Sequence, residues 1–406
     1  MNLLPNQEQA ISKHLSNMVG ALFMKMGTGK TRVALELVNA VPDVDMIVWV
    51  GPLRSIKPLN EETPSIIDEV NKWGGFNCKD VIYIGIETLQ SSDRKYLWLY
   101  QKISTSSRCF IVVDESIKIK NIEAKRTKRL QELGKMVEYK LILNGEPITR
   151  DLLDVWAQFE FLDPEILRMG YAEFKNTFCK YTTITKRFGN SYKSHTKEFI
   201  TGYENIDYLY SLIGEYVYEC DLELNIHQVF ENVDYRLNEE EKETYNYFKE
   251  HYLDDEKLMM MNNNIFLEMT QKMQHGYCCS EEKFKKVSKW IKDESKTIIF
   301  CKYIASAEEC KKRFPEALVL NYKTGSLSLN LQDRPYTVYF DQTFDWGDVI
   351  QSQHRNYRTG QENDCRYLSL IGDVGLEKLI YDNNKKKLGI AEYFKSVSKQ
   401  ELKEAL

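Results

Sequence analysis

Short apolar runs that do not alternate with polar residues recur along this chain. In the first half they are GALF (20–23), MIVWVG (46–51), VIYIGI (81–86), RCFIVVD (108–114) and KLILNG (140–145). Runs of this kind, separated by longer amphipathic stretches, predict a parallel sheet buried on both faces and covered by helices. The pattern pauses after about residue 160. Residues 161–223 read as helical or irregular, with KYTTITKRFGNSYKSHTKEF (180–199) as a polar hairpin turning at Gly189-Asn190. A second series then begins with TIIFC (297–301), ALVLNY (317–322), YTVYFD (336–341) and CRYLSLI (365–371). Between the series, LNEEEKETYNYFKEHYLDDEK (237–257) places Tyr245, Phe248 and Tyr252 on one helical face, with its charges solvated. The expected fold is α/β with two parallel lobes: residues 1–222, carrying a helical or hairpin insertion at about 161–222, and residues 223–406.

Composition supports two domains and narrows the chemistry. A chain of 406 residues is long for one core, and 43% hydrophobic with 28% charged residues is a globular balance. The net charge of −5 gives no overall signature of a nucleic-acid binder, although one face can still be locally basic. None of the nine Cys has the CxxC spacing of a zinc site, and Cys278 beside Cys279 fits a reducing compartment. No run of about 18 apolar residues marks a membrane span, and the start MNLLPNQEQA lacks signal-peptide character, so the expectation is a cytoplasmic protein.

MKMGTGKT (24–31) lies between the apolar GALF and the helix-like RVALELVNA (32–40). Strand, glycine loop, Lys-Thr and helix in this order suit phosphate capture. Backbone N–H groups of Met26, Gly27, Thr28 and Gly29 can close around phosphate oxygens at a helix N-terminus, where negative charge is favoured. Lys30 would reach the β- and γ-phosphates of ATP, and the Thr31 hydroxyl would hold Mg²⁺. The first position of the general loop pattern is Met24 rather than Gly. FIVVDE (110–115) supplies the partner that such a loop requires: Asp114 for Mg²⁺ and Glu115 to polarise the attacking water. Together they read as an ATPase core.

Several further stretches resemble, in order, the motifs of Swi/Snf-type ATPases of helicase superfamily two. They are DESIKIKN (114–121), LILNGEPITRDLLDVWAQFEFLDP (141–164), TGSLSLNLQ (324–332) and QSQHRNYRTGQ (351–361), and YAEFKNTFCKY (171–181) looks like the family's following linker. The resemblance covers roughly residues 3–380. It implies two RecA-like lobes with ATP between them and duplex DNA bound across both. It places Gln7 as an adenine-reading amide, although a helix cap explains that residue equally well. Arg54, Ser55 and Thr88 in the first lobe, with Thr324 and Gly325 in the second, fall where the family meets the DNA backbone; ordinary turn chemistry is the alternative for each. Lys125, Arg126, Lys128 and Arg129 read as a solvated surface. In QSQHRNYRTGQ, Arg355 and Arg358 are three apart, as on one face of a helix that Gly360-Gln361 would stop. The resemblance makes Arg358 a finger on the γ-phosphate, Arg355 its neighbour and Gln351 the positioner of water or phosphate, against a plain salt-bridge role for the pair.

The chain departs from the family at two places. Ile117 stands where the family carries His, and Asn144-Gly145-Glu146-Pro147 stands where it carries T-G-T-P. The second lobe also looks pared down between Phe300 and Gly325. The expected function is a DNA-stimulated ATPase that translocates on duplex DNA. It would be a monomeric, minimal engine of the kind bacteria and their viruses carry, with a protein partner for targeting and no membrane contact. Two other readings are an RNA or single-strand helicase of the same superfamily, and a nucleotide-gated binding module in which Ile117 and Glu146 suppress turnover.

Overall fold

The computed structural model describes residues 3–57, 65–145, 147–148, 152–187, 194–222, 224–253, 263–322, 331–358 and 360–385. Within it the chain forms two compact units, Met1–Leu222 and Glu223–Leu406. The first is built on β1 (Val19–Met24), β2 (Met46–Gly51), β3 (Asp80–Gly85), β4 (Cys109–Asp114), β5 (Tyr139–Asn144) and β8 (Val217–Cys220). They form one sheet in the order β3-β2-β4-β5-β1-β8, with every pairing parallel. All six residues of β1 and of β2 are buried. That is the physical reason these strands read as unbroken apolar runs: side chains alternate between two covered faces. In β2, Val48 and Val50 join one core while Ile47 and Trp49 join the other.

Between β5 and β8 the chain forms helices at Leu153–Leu162 and Tyr171–Phe178, then an antiparallel pair, β6 (Cys179–Arg187) and β7 (Ser194–Tyr203). The pair is the hairpin read in the sequence; its Gly189-Asn190 turn lies outside the described residues. The stretch read as an insertion does not stay outside the sheet, because β8 returns to pair with β1.

The second unit has β9 (Gln228–Tyr235), β10 (Thr297–Cys301), β11 (Leu318–Asn321), β12 (Tyr336–Tyr339) and β13 (Cys365–Gly372). Their order is β11-β10-β12-β13-β9, again with every pairing parallel. One face packs aliphatic residues such as Ile299, Val338, Leu368 and Leu370. The other is aromatic. Phe230 stacks on Tyr367 at 4.9 Å, Tyr367 on Tyr339 at 6.3 Å, Tyr339 on Tyr322 at 6.2 Å and Tyr322 on Phe300 at 5.5 Å. The acidic stretch forms a helix, Glu239–Leu253, with Tyr245 and Tyr252 buried and Phe248 packed against the same core. Both units are thus RecA-like lobes of parallel strands flanked by helices.

Candidate nucleotide site and interfaces

The phosphate loop sits at the carboxyl end of β1. Gly27 and Gly29 hold φ of 85° and 88°, left-handed values that side-chain-bearing residues rarely adopt. Gly29 is constrained twice, since a Cβ there would lie 2.1 Å from Nε2 of Gln7. It caps the helix Lys30–Ala40, and a helix N-terminus favours negative charge. Lys30 is half-buried, and its Nζ donates to the carbonyls of Met24 at 2.7 Å and Lys25 at 3.3 Å. Thr28 is buried and donates its hydroxyl to Lys25 O, while Met26 and Thr31 are half-buried. Gln7 lies in the first turn of the helix Pro5–His14 and does cap it, its Oε1 accepting from the N-cap Leu4 N at 3.0 Å, while its Nε2 donates to Thr28 O at 3.1 Å. The amide therefore ties the N-terminal helix to the loop.

The acid pair ends β4. Asp114 is pushed up to about 7, first by burial and then by the charge of Glu115, with the Lys30 ammonium pulling the other way. Lys30 and Asp114 thus share one electrostatic site although their strands, β1 and β4, are separated by β5. Glu115 adopts a left-handed backbone, φ 52° and ψ 53°, and opens a 3₁₀ turn at Ser116–Ile119. Backbone strain of this kind in a residue with a Cβ persists only where its surroundings enforce it. Here Ser116, fully buried, donates its hydroxyl to Oε1 of Gln158 at 2.6 Å, and Nε2 of Gln158 donates to Pro147 O and Asp154 O. Lys120 pairs with the buried Asp154 at 3.2 Å. The acid motif is therefore bolted to the segment after β5. Ile117 is half-buried within the turn; Glu146 lies outside the described residues.

The candidate DNA contacts of the first lobe fall on short helices rather than loops. Arg54 is exposed on Leu53–Ile56, and Thr88 is half-buried on Ile86–Ser91. Ser55 is buried, and its hydroxyl already donates to Pro52 O at 2.8 Å, so it shapes the turn. Glu87 joins the two helices by accepting from Leu53 N at 2.8 Å, and its other oxygen is 3.4 Å from Lys118. Gly85 makes that approach possible, because a Cβ there would meet Leu53 at 2.8 Å. Lys125 with Asp93 and Lys128 with Glu123 are surface ion pairs, and Arg126 donates to Lys118 O and Gln90, but Arg129 is not on the solvated surface expected of it: it is buried, donating to Leu89 O and pairing with Asp93. Thr324 and Gly325 lie outside the described residues.

In the second lobe the helix expected to carry both arginines stops early. It spans Trp346–Gln353, and Arg355 and Arg358 sit in the turns beyond it. The cause is Asn356, fully buried, whose side chain donates to Arg334 O and Thr337 Oγ1 and accepts from Tyr367. Those bonds draw the backbone out of the helical path. Arg355 is buried at 4% exposure, Arg358 and Gln351 are half-buried, and Gly360 takes φ of 98° where the chain turns back. Gln361 braces the turn by donating to Asn356 O and accepting from the N–H groups of Glu362 and Asn363.

One cluster had no signal in the sequence. Lys283, 2% exposed, pairs with Asp341 at 2.8 Å and lies 4.7 Å from the Phe340 ring centre. Asp341 also accepts from Lys302 N and Ser306. Nearby Glu377 is buried, pushed up by that burial, and accepts from Tyr277 and Gln274. The residues involved are 58 positions apart at Lys283 and Asp341, with no common motif. Among the described residues no group of three or more His, Cys, Asp or Glu could hold a metal, and no helix is long and apolar enough to cross a membrane.

Several known proteins are similar to this chain. The SNF2-related domain matches residues 49–301. The SWI/SNF chromatin-remodeling complex subunit snf22 of Schizosaccharomyces pombe is 28% identical over 192 residues, 43% of this chain and 11% of that protein. The ATP-dependent helicase brm of Drosophila melanogaster is 27% identical over 176 residues, covering 40% and 10%. The chain thus spans about a tenth of the length of these curated relatives. The Sulfolobus solfataricus SWI2/SNF2 ATPase core in complex with dsDNA is similar over 100% of this chain and 97% of its own, with 17% identity and a TM-score of 0.43. The family match alone takes in strands of both lobes, from the end of β2 through β10, and with it the acid pair. The chain belongs to the SNF2-related domain family and is a Swi/Snf-type ATPase.

Proposed function

We propose that this chain hydrolyses ATP when bound to duplex DNA and uses the cycle to move along it. The observation that carries the reading is the shared site of Lys30, at the mouth of a two-glycine loop, and the Asp114–Glu115 pair. Lys30 exchanges its loop carbonyls for phosphate oxygens, and the helix N–H groups beyond Gly29 complete the cradle. Gln7, already fastened to the loop, is placed to read the base edge. Glu115, held rigid by its strained turn, orients the attacking water and takes its proton. Arg358, with Arg355 and Gln351, answers the charge that builds on the transferring phosphoryl group.

The donor set fits Mg²⁺: the Asp114 carboxylate and the Thr31 hydroxyl are hard oxygen ligands, and a cation beside the Asp114 carboxyl, which burial raises, would favour its ionised form. When bound, that ion would offset phosphate charge. Exposed Arg54 and half-buried Thr88 remain the phosphate contacts we assign to the first lobe, whereas Ser55 supports the turn beneath them.

The test is the ATPase rate against duplex, single-stranded and branched DNA and RNA. Duplex DNA is expected to stimulate most, and stimulation to fall steeply with salt. Stronger stimulation by RNA or single strands would replace this reading with that of a different helicase. No phosphate release with any polymer would leave a nucleotide-gated binding module. Arg358→Ala is expected to keep nucleotide binding while losing roughly 10³–10⁵ of the stimulated rate. Turnover near wild type in that variant would remove Arg358 from the mechanism.

A further inference from the structure

The aromatic row across the second-lobe sheet holds three hydroxyls. Phe230 and Phe300 belong to the row without one, so the stacking itself does not call for oxygen. Tyr322, Tyr339 and Tyr367 are buried, and a phenol at such depth needs a hydrogen-bond partner. Each finds one in the same short stretch of chain. Tyr322 donates to Asp341 O at 2.9 Å, Tyr339 accepts from the Ser352 hydroxyl at 3.1 Å, and Tyr367 donates to Asn356 Oδ1 at 2.9 Å. Residues 341–356 run from just past β12, through the helix Trp346–Gln353, to the turn between Arg355 and Arg358.

Two short paths lead from the row to the arginines. The Ser352 carbonyl accepts the N–H of Arg355 at 3.2 Å, so one residue separates Tyr339 from that backbone. The Asn356 carbonyl accepts the N–H of Arg358 at 3.1 Å, and Tyr367 stands in the same relation to Arg358. The Asn356 amide has one orientation open to it. Its Nδ2 donates to Arg334 O at 3.1 Å and Thr337 Oγ1 at 3.0 Å, which turns Oδ1 towards Tyr367. Gln228, on β9, donates to the Tyr367 oxygen at 3.1 Å and directs the phenolic proton towards Asn356. Burial pushes the pKa of all three phenols above the ordinary value, so they stay protonated across the working pH range.

We propose that Tyr367 and Tyr339 are positioning residues for hydrolysis, their hydroxyls fixing the backbone from which Arg358 and Arg355 act. The inference rests on the arginine roles proposed above. Tyr322 reaches only the start of the stretch, at Asp341, and provides the internal comparison. A guanidinium that answers charge in the transition state has to be in place beforehand, and a misplacement of about 1 Å can cost about 10²-fold in rate. A tyrosine that served the core alone would cost stability on losing its oxygen, wherever that oxygen pointed. The two roles therefore part in turnover.

The experiment is steady-state ATP hydrolysis by the full chain with duplex DNA, alongside binding of a fluorescent ATP analogue and chemical denaturation. Tyr→Phe keeps the ring and the stack and removes only the hydroxyl. Tyr367→Phe is expected to lower kcat by roughly 10- to 10²-fold, with analogue affinity within about twofold of wild type. Tyr339→Phe should lower kcat by a smaller factor, and Tyr322→Phe by less than about threefold, although each variant loses a buried hydrogen bond. Thr337→Val removes a second partner of the Asn356 amide and should repeat the Tyr367→Phe result, while Thr337→Ser should restore turnover. That pair tests the same path if Tyr367→Phe misfolds. Equal falls in kcat for Tyr322→Phe and Tyr367→Phe would overturn the positioning role, as would turnover near wild type in Tyr367→Phe or Thr337→Val. Loss of turnover in Arg358→Ala would then leave the arginine reading standing. Normal turnover in Arg358→Ala, or no stimulated turnover in the wild type, would overturn both.

Discussion

Two lysines, one in each lobe, show how differently this fold treats a cation. Lys30 is half-buried and donates to neutral carbonyls of its own loop. Lys283 is sealed in the second lobe against Asp341, with Cys278 O at 3.4 Å and the rings of Phe340, Tyr277 and Tyr235 around it. Burial works against the Lys283 ammonium, yet Asp341 and Glu377 outweigh it and hold its pKa above the usual value. A cation satisfied by a buried carboxylate is committed to the core. One resting on carbonyls can trade them for a stronger anion. Depth and partner, not residue type, separate the structural lysine from the one offered to a ligand.

The sharpest way to break this contrast is Lys30→Ala. Hydrolysis is expected to fall below detection and ATP binding to weaken strongly, while stability in denaturant shifts by less than about 1 kcal/mol, the ordinary range for a surface change. An unchanged turnover would sink the phosphate-loop assignment. Lys283→Ala should do the reverse. It strands Asp341 as an unpaired buried charge and is expected to cost the second lobe about 3–5 kcal/mol, read from chemical denaturation. Nucleotide binding by the first lobe should survive, and a stability loss under about 1 kcal/mol would show that the pair is not structural.

Smaller effects sharpen the picture within the first lobe. His14 is buried at 3% exposure, and burial first, then Lys13, lowers its pKa to about 4. Its folded pKa lies below its ordinary value, so folding is favoured above about 6.5 and progressively loses that advantage as pH falls towards 4. The loss is on the order of 3 kcal/mol, and His14→Leu should flatten that acid limb of the denaturation midpoint. An identical pH profile in the variant would show that another group governs the acid loss. The smallest expected change is Ser116→Ala, which leaves Oε1 of Gln158 without its donor. It should cost about 1–2 kcal/mol in stability, and turnover should drop further than nucleotide binding, because the Glu115 turn loosens. Equal losses in both measurements would mean that the turn is not what Ser116 supports.

The sequence was most legible where burial is two-sided. β1, β2 and β4 are covered on both faces, so their residues had to be apolar without alternation. β8 and β9 escaped notice because both lie at sheet edges, where VYEC and QVFENVDY mix exposed and buried positions. The glycines and Lys-Thr of the phosphate loop were readable because their chemistry is local. The end of the helix before Arg355 was not, since it is set by Asn356 reaching Arg334, Thr337 and Tyr367 across the fold. Ser55 teaches the same lesson in miniature. Its hydroxyl suggested a ligand contact, but the fold has already used it on Pro52.

The left-handed turn at Glu115 has one more implication. A residue with a Cβ in that conformation costs of order 1–3 kcal/mol relative to a relaxed backbone, a cost that Gly would largely remove. Selection of variants for thermal tolerance alone would therefore favour Glu115→Gly, and would discard the carboxylate assigned to water. The same pressure applied together with a demand for turnover would keep the strained residue and look for compensation elsewhere, so the persistence of Glu115 in a heat-selected library would itself be a readout of catalysis.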